Sequence, residues 1–152
     1  MTTTPVDKTS QVHGTAIALD SQGVLLRGAS GAGKSDLALR LIEAGGRLVA
    51  DDRVDLTLEG NTVLMSAPET IQGKLEIRGL GIVEIAFIDE SPLTLICDLH
   101  PFDLIDRLPE QLDEMVLGCP VRTLGLDPRA ASAVVIIRYA LKVAAGEIGL
   151  VE

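Results

Sequence analysis

The sequence has few aromatic residues and few positive charges for its length. Among 152 residues there is no Trp, one Tyr and two Phe, so a platform on which nucleic-acid bases could stack is difficult to assemble. The formal net charge is −9, whereas proteins that bind nucleic acid cluster Lys and Arg against the phosphate backbone. Both features argue against a nucleic-acid partner.

Cysteines, histidines and long apolar runs are also scarce. Cys97 and Cys119 form no CxxC motif and are accompanied by only two histidines, so a zinc site has little to draw on. We expect both cysteines to be buried as small apolar side chains. Every apolar run is interrupted before it reaches the roughly 20 residues of a membrane span, and the N-terminus lacks the features of a secretory signal. We therefore expect a soluble, cytoplasmic protein with no membrane partner.

The N-terminal part of the chain predicts a tail followed by a single domain. Residues 1–11 are polar, contain Pro5 and lack periodicity, which predicts a flexible N-terminal tail before a domain at 12–152. Apolar segments at 15–19 and 24–27 flank a short stretch of turn-forming residues. This pattern predicts a β-hairpin that leads into a glycine-rich loop.

The remaining segments predict a mixture of strands and helices. A mostly apolar run at 37–44 predicts a helix that ends at Gly45 and Gly46, and segments 54–58 and 62–66 predict a second hairpin. Further along, the pattern predicts a loop shaped by glycines at 75–82, a fully buried strand at 93–97 and a helix at 130–145. Together these elements predict the α/β class, with a mixed β-sheet core and few helices.

Eight consecutive residues form a complete phosphate-binding loop of the Walker A type, with the pattern GxxxxGK[S/T]. They are Gly28, Ala29, Ser30, Gly31, Ala32, Gly33, Lys34 and Ser35. A predicted strand precedes the loop and a predicted helix follows it, so backbone N–H groups and the positive end of the helix dipole converge on one point. In such loops the Lys reaches the β- and γ-phosphates and the Ser hydroxyl can bind Mg²⁺. The loop predicts a kinase that uses Mg-ATP.

Phosphoryl transfer also needs a carboxylate near the metal, and one that accepts the proton of the attacking hydroxyl. Asp98 follows the strongly apolar run at 93–97, whereas Asp51 and Asp52 follow a shorter apolar segment soon after the loop. Adjacent residues of a strand point to opposite faces, so only one member of the pair is expected to face the nucleotide. The residues alone leave the choice between Asp98 and the pair open.

Four segments of the chain, in the same order, resemble the catalytic domain of the HPr kinase/phosphorylase family. They are 12–14 with His13, the loop 28–35 followed by Asp36, the segment 47–52, and the segment 76–82. The resemblance is close over residues 12–90 and looser beyond. It implies a short form that lacks the separate N-terminal domain of longer members, and a P-loop fold akin to that of phosphoenolpyruvate carboxykinase.

The resemblance also implies an activity and a role for each matching residue. Family members are kinases that use ATP and Mg²⁺ to phosphorylate a serine of the phosphocarrier protein HPr, and that can remove the phosphate by phosphorolysis. By this resemblance Lys34 binds phosphates, Ser35 and Glu76 hold Mg²⁺, Asp52 takes the proton from the substrate serine, and His13 supports the same site. An HPr-like partner and a hexameric assembly are implied in the same way.

The chain departs from the family pattern in its C-terminal part. Longer members carry a basic segment, linked with dephosphorylation, that is missing before the last predicted helix, so the kinase activity is implied more directly than the phosphorylase activity. Arg122 or Arg129 could supply its charge, and the spacing selects neither. Two other functions suit the same loop: a kinase of a small molecule, and a binding module that responds to nucleotide without turnover.

Overall fold

The computed structural model describes residues 8–151, and residues 1–7 of the predicted tail lie outside this range. The described chain contains eleven β-strands, two α-helices and two short 3-10 helices. The strands are β1 Thr9–His13, β2 Thr15–Leu19, β3 Gln22–Arg27, β4 Arg47–Ala50, β5 Arg53–Glu59, β6 Thr62–Ser66, β7 Lys74–Ile77, β8 Gly81–Glu84, β9 Ser91–Leu99, β10 Asp113–Val116 and β11 Cys119–Leu126. The α-helices are α1 Lys34–Glu43 and α2 Ala133–Ala144, and the 3-10 helices are Glu69–Ile71 and Phe102–Leu104.

Nine of the strands form one mixed sheet, and β7 and β8 pair separately as a hairpin. The main path runs β1-β5-β6-β9-β3-β2-β4, with β11 and then β10 attached to β9. The central strand β9 is parallel to both β3 and β11, whereas the other pairings in the sheet are antiparallel. This mixed sheet with two α-helices confirms the predicted fold class.

Alternating side chains along the central strands build two cores on opposite faces of the sheet. In β2, Ile17 and Leu19 pack with the buried residues of α1 and α2. Ala16 and Ala18 point the other way, into the apolar layer that β5 and β6 provide. Helices α1 and α2 thus cover one face of the sheet, and β5 and β6 of the same sheet cover the other. The end of β3 lies between these two layers.

Several local predictions are confirmed. β2 and β3 form the predicted hairpin, as do β5 and β6. Helix α1 buries Leu37, Ala38 and Leu41 and ends before Gly45, whose φ of 104° lies in the left-handed region that favours glycine. Helix α2 falls within the predicted range. Neither α-helix between residues 8 and 151 combines the length and the apolar character needed to cross a membrane.

Three local predictions need correction. Residues Thr9, Ser10 and Gln11 were expected in the tail, but they lie in β1, because this polar strand pairs with β5 along its whole length. The expected loop at 75–82 is a β-hairpin, in which the glycines occupy the turn and its edge. Cys97 is buried as expected, whereas Cys119 is only half-buried. The predicted buried strand is confirmed within β9 except at Thr94, which is partly exposed.

Candidate functional site

The glycine-rich loop connects β3 to the first turn of α1. Helix α1 begins at Lys34, so its N-terminal N–H groups and the positive end of its dipole face the loop. Gly33 has a φ of 107°, and a Cβ atom at this residue would lie 3.1 Å from Cγ of Pro128. Both the backbone conformation and the tight contact therefore require glycine here. Arg40 of the same helix donates a hydrogen bond to the carbonyl oxygen of Pro128, which fixes the neighbouring segment to the helix.

The loop opens onto a cleft of about 680 Å³. Its lining includes all predicted site residues other than Ala29: His13, Gly28, Ser30, Gly31, Ala32, Gly33, Lys34, Ser35, Asp52 and Glu76. Ala29 contributes through its backbone, because its carbonyl oxygen accepts a hydrogen bond of 3.0 Å from the Lys34 ammonium. Residues from four separate parts of the sequence therefore meet at the N-terminus of α1.

Asp51 is the buried hydrogen-bond acceptor of the cleft. Its Oδ1 accepts a hydrogen bond of 2.8 Å from the Thr15 hydroxyl and a longer one of 3.4 Å from the Ser35 hydroxyl. Its Oδ2 accepts a bond of 3.2 Å from the backbone N–H of Glu76. One carboxylate thus links β2, the phosphate loop and the β7–β8 hairpin. Sequence reasoning named Asp51 as a candidate carboxylate but did not predict its hydrogen-bond partners. The signal in the sequence was that one member of the acidic pair should face inward.

Asp52 also lines the cleft, although its side chain is largely exposed. Strict strand alternation would turn it away from Asp51, but β4 ends at Ala50 and Asp52 adopts a φ of 77°. This left-handed conformation is uncommon for a residue other than glycine. The Asp52 carbonyl oxygen accepts a hydrogen bond of 3.1 Å from the N–H of Gly14. The expectation that only one carboxylate faces the site is therefore wrong.

His13 and Gly14 bring the end of β1 to the same place. His13 is the last residue of β1, is exposed, and lines the cleft opposite the phosphate loop. A Cβ atom at Gly14 would lie 2.8 Å from the carbonyl oxygen of Leu26 in β3, which is closer than carbon and oxygen atoms normally approach. Glycine at this position therefore lets β1 continue into β2 directly against the strand that feeds the loop.

The structure separates the two candidate arginines. Arg129 lines the cleft, and its backbone N–H donates a hydrogen bond of 2.9 Å to the carboxylate of Asp127. Arg122 lies on β11, where its guanidinium contacts Asp113 at 3.2 Å and Gln111 at 3.0 Å. Within residues 8–151 it is not among the side chains that line the cleft. Of the two, Arg129 is the one positioned to meet a phosphate.

Asp98, the other candidate carboxylate, is committed elsewhere. It pairs in register with Arg27 on the neighbouring parallel strand β3, and its oxygens accept hydrogen bonds of 2.8 and 3.0 Å from that guanidinium. Arg27 also binds Glu114 of β10 at 2.7 and 2.9 Å. These two carboxylates raise the pKa of Arg27 above its usual value. Asp98 therefore belongs to a structural ion cluster. Among residues 8–151, it is Asp51 and Asp52 of these candidates that line the cleft, and Asp98 does not.

The cleft contains oxygen donors of the kind that hold Mg²⁺ in proteins. Mg²⁺ is usually held by one or two carboxylates and completes its shell with phosphate oxygens and water. The Ser35 hydroxyl, the adjacent Asp51 carboxylate and the Glu76 carboxylate at the rim of the cleft offer such donors. These few groups leave most of the coordination shell to a bound nucleotide and solvent.

Comparison with known proteins identifies a family that has these features. Residues 5–138 match the family model described as the HPr Serine kinase C-terminal domain. The chain is 36% identical to the HPr kinase/phosphorylase of Exiguobacterium sibiricum, over 88% of this chain and 49% of that protein. It is 37% identical to the HPr kinase/phosphorylase of Geobacillus thermodenitrificans, over 84% of this chain and 46% of that protein. The chain spans about half the length of these curated relatives.

The architecture also matches a solved structure. The Hpr(Ser) kinase/phosphatase of Coxiella burnetii superposes with a TM-score of 0.80 and 26% sequence identity. The match covers 91% of this chain and 97% of the solved chain. The mixed sheet with its two helices therefore matches the fold of a solved chain of almost the same extent.

Proposed function

Because the chain belongs to the family of HPr Serine kinase C-terminal domains, we propose that it is an ATP- and Mg²⁺-dependent kinase of a serine in an HPr-like phosphocarrier protein. The observation that carries the proposal is the meeting of the phosphate loop with the Asp51–Asp52 pair in one cleft. A cytoplasmic location and a hexameric assembly belong to the same proposal and rest on the family resemblance.

The loop and two cations bind the phosphates of ATP. Backbone N–H groups of residues 28–35 surround the terminal phosphates at the positive end of the α1 dipole. The Lys34 ammonium exchanges its contacts with loop carbonyls for the β- and γ-phosphates. Arg129, which also lines the cleft, adds a second positive charge where charge develops during transfer. Catalysis in this arrangement is mainly positioning and charge neutralisation.

Ser35 and Glu76 would hold Mg²⁺, with Asp51 beside Ser35. The ion would supply neutralisation of phosphate charge and orientation of the γ-phosphate. Ser35 offers its hydroxyl oxygen and Glu76 its carboxylate, while Asp51 stays anchored by its hydrogen bonds to neighbouring elements. The protein thus supplies few ligands and fixes their direction, as magnesium sites in phosphoryl-transfer enzymes generally require.

Asp52 acts as the proton acceptor for the substrate serine. The serine oxygen forms a bond to the γ-phosphorus, the bond from that phosphorus to the bridging oxygen of ADP breaks, and the serine proton passes to the Asp52 carboxylate. The exposure of this carboxylate suits the role, because a protein substrate must reach it from outside. His13, which also lines the cleft, supports the same site in this proposal, as the family resemblance implies. The same groups suit phosphorolysis, in which inorganic phosphate attacks the phosphorus of phosphoserine, the bond from that phosphorus to the serine oxygen breaks, pyrophosphate forms, and the protonated Asp52 carboxyl returns its proton to the serine oxygen.

The test is incubation of the protein with Mg-ATP and a purified HPr-like carrier, followed by phosphopeptide mapping of the carrier. We expect phosphoserine at one site, and a decrease in rate of about 100-fold or more for Asp52→Asn with nucleotide binding retained. The matched control is Asp55→Asn, which removes a half-buried carboxylate of β5 that is bonded to Gln11. Equal rates for Asp52→Asn and the unsubstituted protein would contradict the assignment of Asp52.

Two other outcomes would replace the proposed function. Labelling of metabolites instead of the carrier would identify a small-molecule kinase. Tight binding of ATP in isothermal titration, without transfer to any acceptor, would identify a nucleotide-responsive binding module. The acidic pair favours catalysis over a nucleotide-responsive binding module, because such a module needs no proton acceptor.

A further inference from the structure

Thr15 lines the cleft, and neither phosphate nor substrate binding accounts for its position. It is fully buried at the start of β2, and its hydroxyl donates to Oδ1 of Asp51 at 2.8 Å. Thr15 and Asp51 are distant in sequence and meet because β2 and β4 are neighbours in the sheet. A buried hydroxyl that donates to a buried carboxylate forms a charge-assisted bond, which is stronger than a bond between neutral groups.

The Asp51 oxygen that Thr15 contacts is shared with Ser35. Both hydroxyls approach Oδ1, Thr15 at 2.8 Å and Ser35 at 3.4 Å. The Thr15 bond has the length of a normal O–H···O bond, whereas the Ser35 bond is long. The Ser35 hydroxyl is therefore the partner that can be released more easily.

Release of Ser35 would leave a buried carboxylate short of one donor. An unsatisfied buried acceptor is costly, and the cost is larger for a charged group. Because Thr15 keeps its own bond to the same oxygen, Asp51 retains a donor on Oδ1, while Oδ2 keeps the N–H of Glu76. The carboxylate then holds its orientation when the Ser35 hydroxyl turns toward a ligand of the cleft.

We propose that Thr15 is a positioning residue that holds the Asp51 carboxylate in place, so that the Ser35 hydroxyl is free to serve a nucleotide-bound Mg²⁺. This inference rests on the proposed function for its choice of ligand, Mg-ATP. It assigns Thr15 no contact with substrate or nucleotide. Thr15 acts through Asp51, and the group that does so is its hydroxyl. The methyl group of Thr15 contributes only to packing.

The experiment compares four forms of the full chain: the unsubstituted protein, Thr15→Val, Thr15→Ser and Thr123→Val. Thr15→Val keeps the shape and removes the hydroxyl, whereas Thr15→Ser restores it. Thr123→Val is the matched control, because it removes the hydroxyl of Thr123 on β11, which donates a bond of 2.9 Å to the carbonyl oxygen of Leu112. The affinity for a non-hydrolysable ATP analogue is measured by isothermal titration with Mg²⁺ and with EDTA.

We expect Thr15→Val to weaken binding about tenfold in Mg²⁺, and to leave the affinity in EDTA unchanged. Thr15→Ser and Thr123→Val should match the unsubstituted protein in both conditions. In transfer assays Thr15→Val should lower kcat and leave KM for the carrier unchanged. In an Asp51→Ala background, Thr15→Val should cause no further loss of Mg²⁺-dependent affinity.

Three results would overturn the inference. The first is that Thr15→Val binds the ATP analogue as tightly as the unsubstituted protein in Mg²⁺. The second is that Thr15→Val loses affinity equally in Mg²⁺ and in EDTA, and the third is that Thr15→Ser loses as much affinity as Thr15→Val. Failure of the proposed function gives a different result: an unsubstituted chain that binds Mg-ATP but phosphorylates no carrier still shows the Thr15→Val effect in titration if Thr15 positions Asp51. A chain that binds no nucleotide at all would overturn both proposals.

Discussion

The ammonium group of Lys34 donates a hydrogen bond of 2.6 Å to the carbonyl oxygen of Gly28. The same group lies 3.0 Å from the carbonyl oxygen of Ala29, so the lysine folds back over its own loop. Bonds from an ammonium to phosphate are charge-assisted on both sides and stronger than bonds to neutral carbonyls. The loop therefore holds this charge close to the place where we propose that phosphates bind. The hydrogen bonds that Lys34 would form with phosphate are stronger than the bonds to the carbonyl oxygens that it would give up.

Replacing Lys34 by Ala should weaken ATP binding by about 10- to 100-fold, because charge-assisted hydrogen bonds to the phosphates are lost. Lys34→Arg should not restore the affinity, since the planar guanidinium does not fit a pocket shaped for a compact ammonium. Isothermal titration with Mg-ATP measures the change. Lys142→Ala is the control, because this lysine lies over the ring of Tyr139 on α2. Equal losses for both variants would contradict a specific role for Lys34.

Arg129 and Arg122 offer a matched pair of substitutions. Arg129→Gln should lower the rate of phosphoryl transfer about tenfold or more at saturating Mg-ATP, because a positive charge is removed from the rim of the cleft. Arg122→Gln should leave the rate unchanged, since Arg122 pairs with Asp113 on the neighbouring strand. Initial rates of phosphoryl transfer to the carrier protein, measured for both variants, distinguish the two arginines. A larger effect of Arg122→Gln would reverse the assignment.

The ion cluster around Arg27 should contribute to stability and not to nucleotide binding. Arg27→Leu leaves the carboxylates of Asp98 and Glu114 without their shared partner, and we expect a loss of about 2 kcal/mol in the free energy of unfolding. Urea unfolding followed by circular dichroism measures it. Adding Glu114→Gln should recover part of the loss, because one of the two opposing charges is then gone. Unchanged stability of Arg27→Leu would show that solvent already screens the cluster.

The two thiols should differ in reactivity. Burial raises the pKa of the Cys97 thiol above its usual value, so this residue stays protonated and unreactive at mildly alkaline pH. Cys119 is half-buried and should react with a thiol reagent such as Ellman's in the folded protein. We expect one thiol to react at pH 8 in buffer and two in denaturant. Cys119→Ser should abolish the reaction in buffer, and rapid labelling of that variant would contradict the protection of Cys97.

The elements that the sequence predicted well are those encoded by neighbouring residues. The β2–β3 hairpin, the loop and α1 follow one another without interruption, and each is specified by its own turn residues, glycines or apolar spacing. The position of Lys34 and Ser35 at the start of α1 needed no information from distant parts of the chain. Local patterns were therefore sufficient for the phosphate-binding half of the cleft.

The other half of the cleft depends on contacts between distant residues. Thr9 to Gln11 carry no apolar alternation, and they form a strand because β5 offers them a free edge. Asp98 has the stronger local pattern, but its register opposite Arg27 directs it into an ion pair. The bond between Thr15 and Asp51 follows from the pairing of β2 with β4. Periodicity carries no information on which strands become neighbours, so these relationships required the structure.

Gly14 determines the distance between the two halves of the cleft. A Cβ atom there would lie 2.8 Å from the carbonyl oxygen of Leu26 and 2.9 Å from the side chain of Leu25, so any side chain would push the strand that bears His13 away from the strand that enters the loop. Substitutions that stabilise the protein are therefore compatible with this cleft only while residue 14 stays glycine.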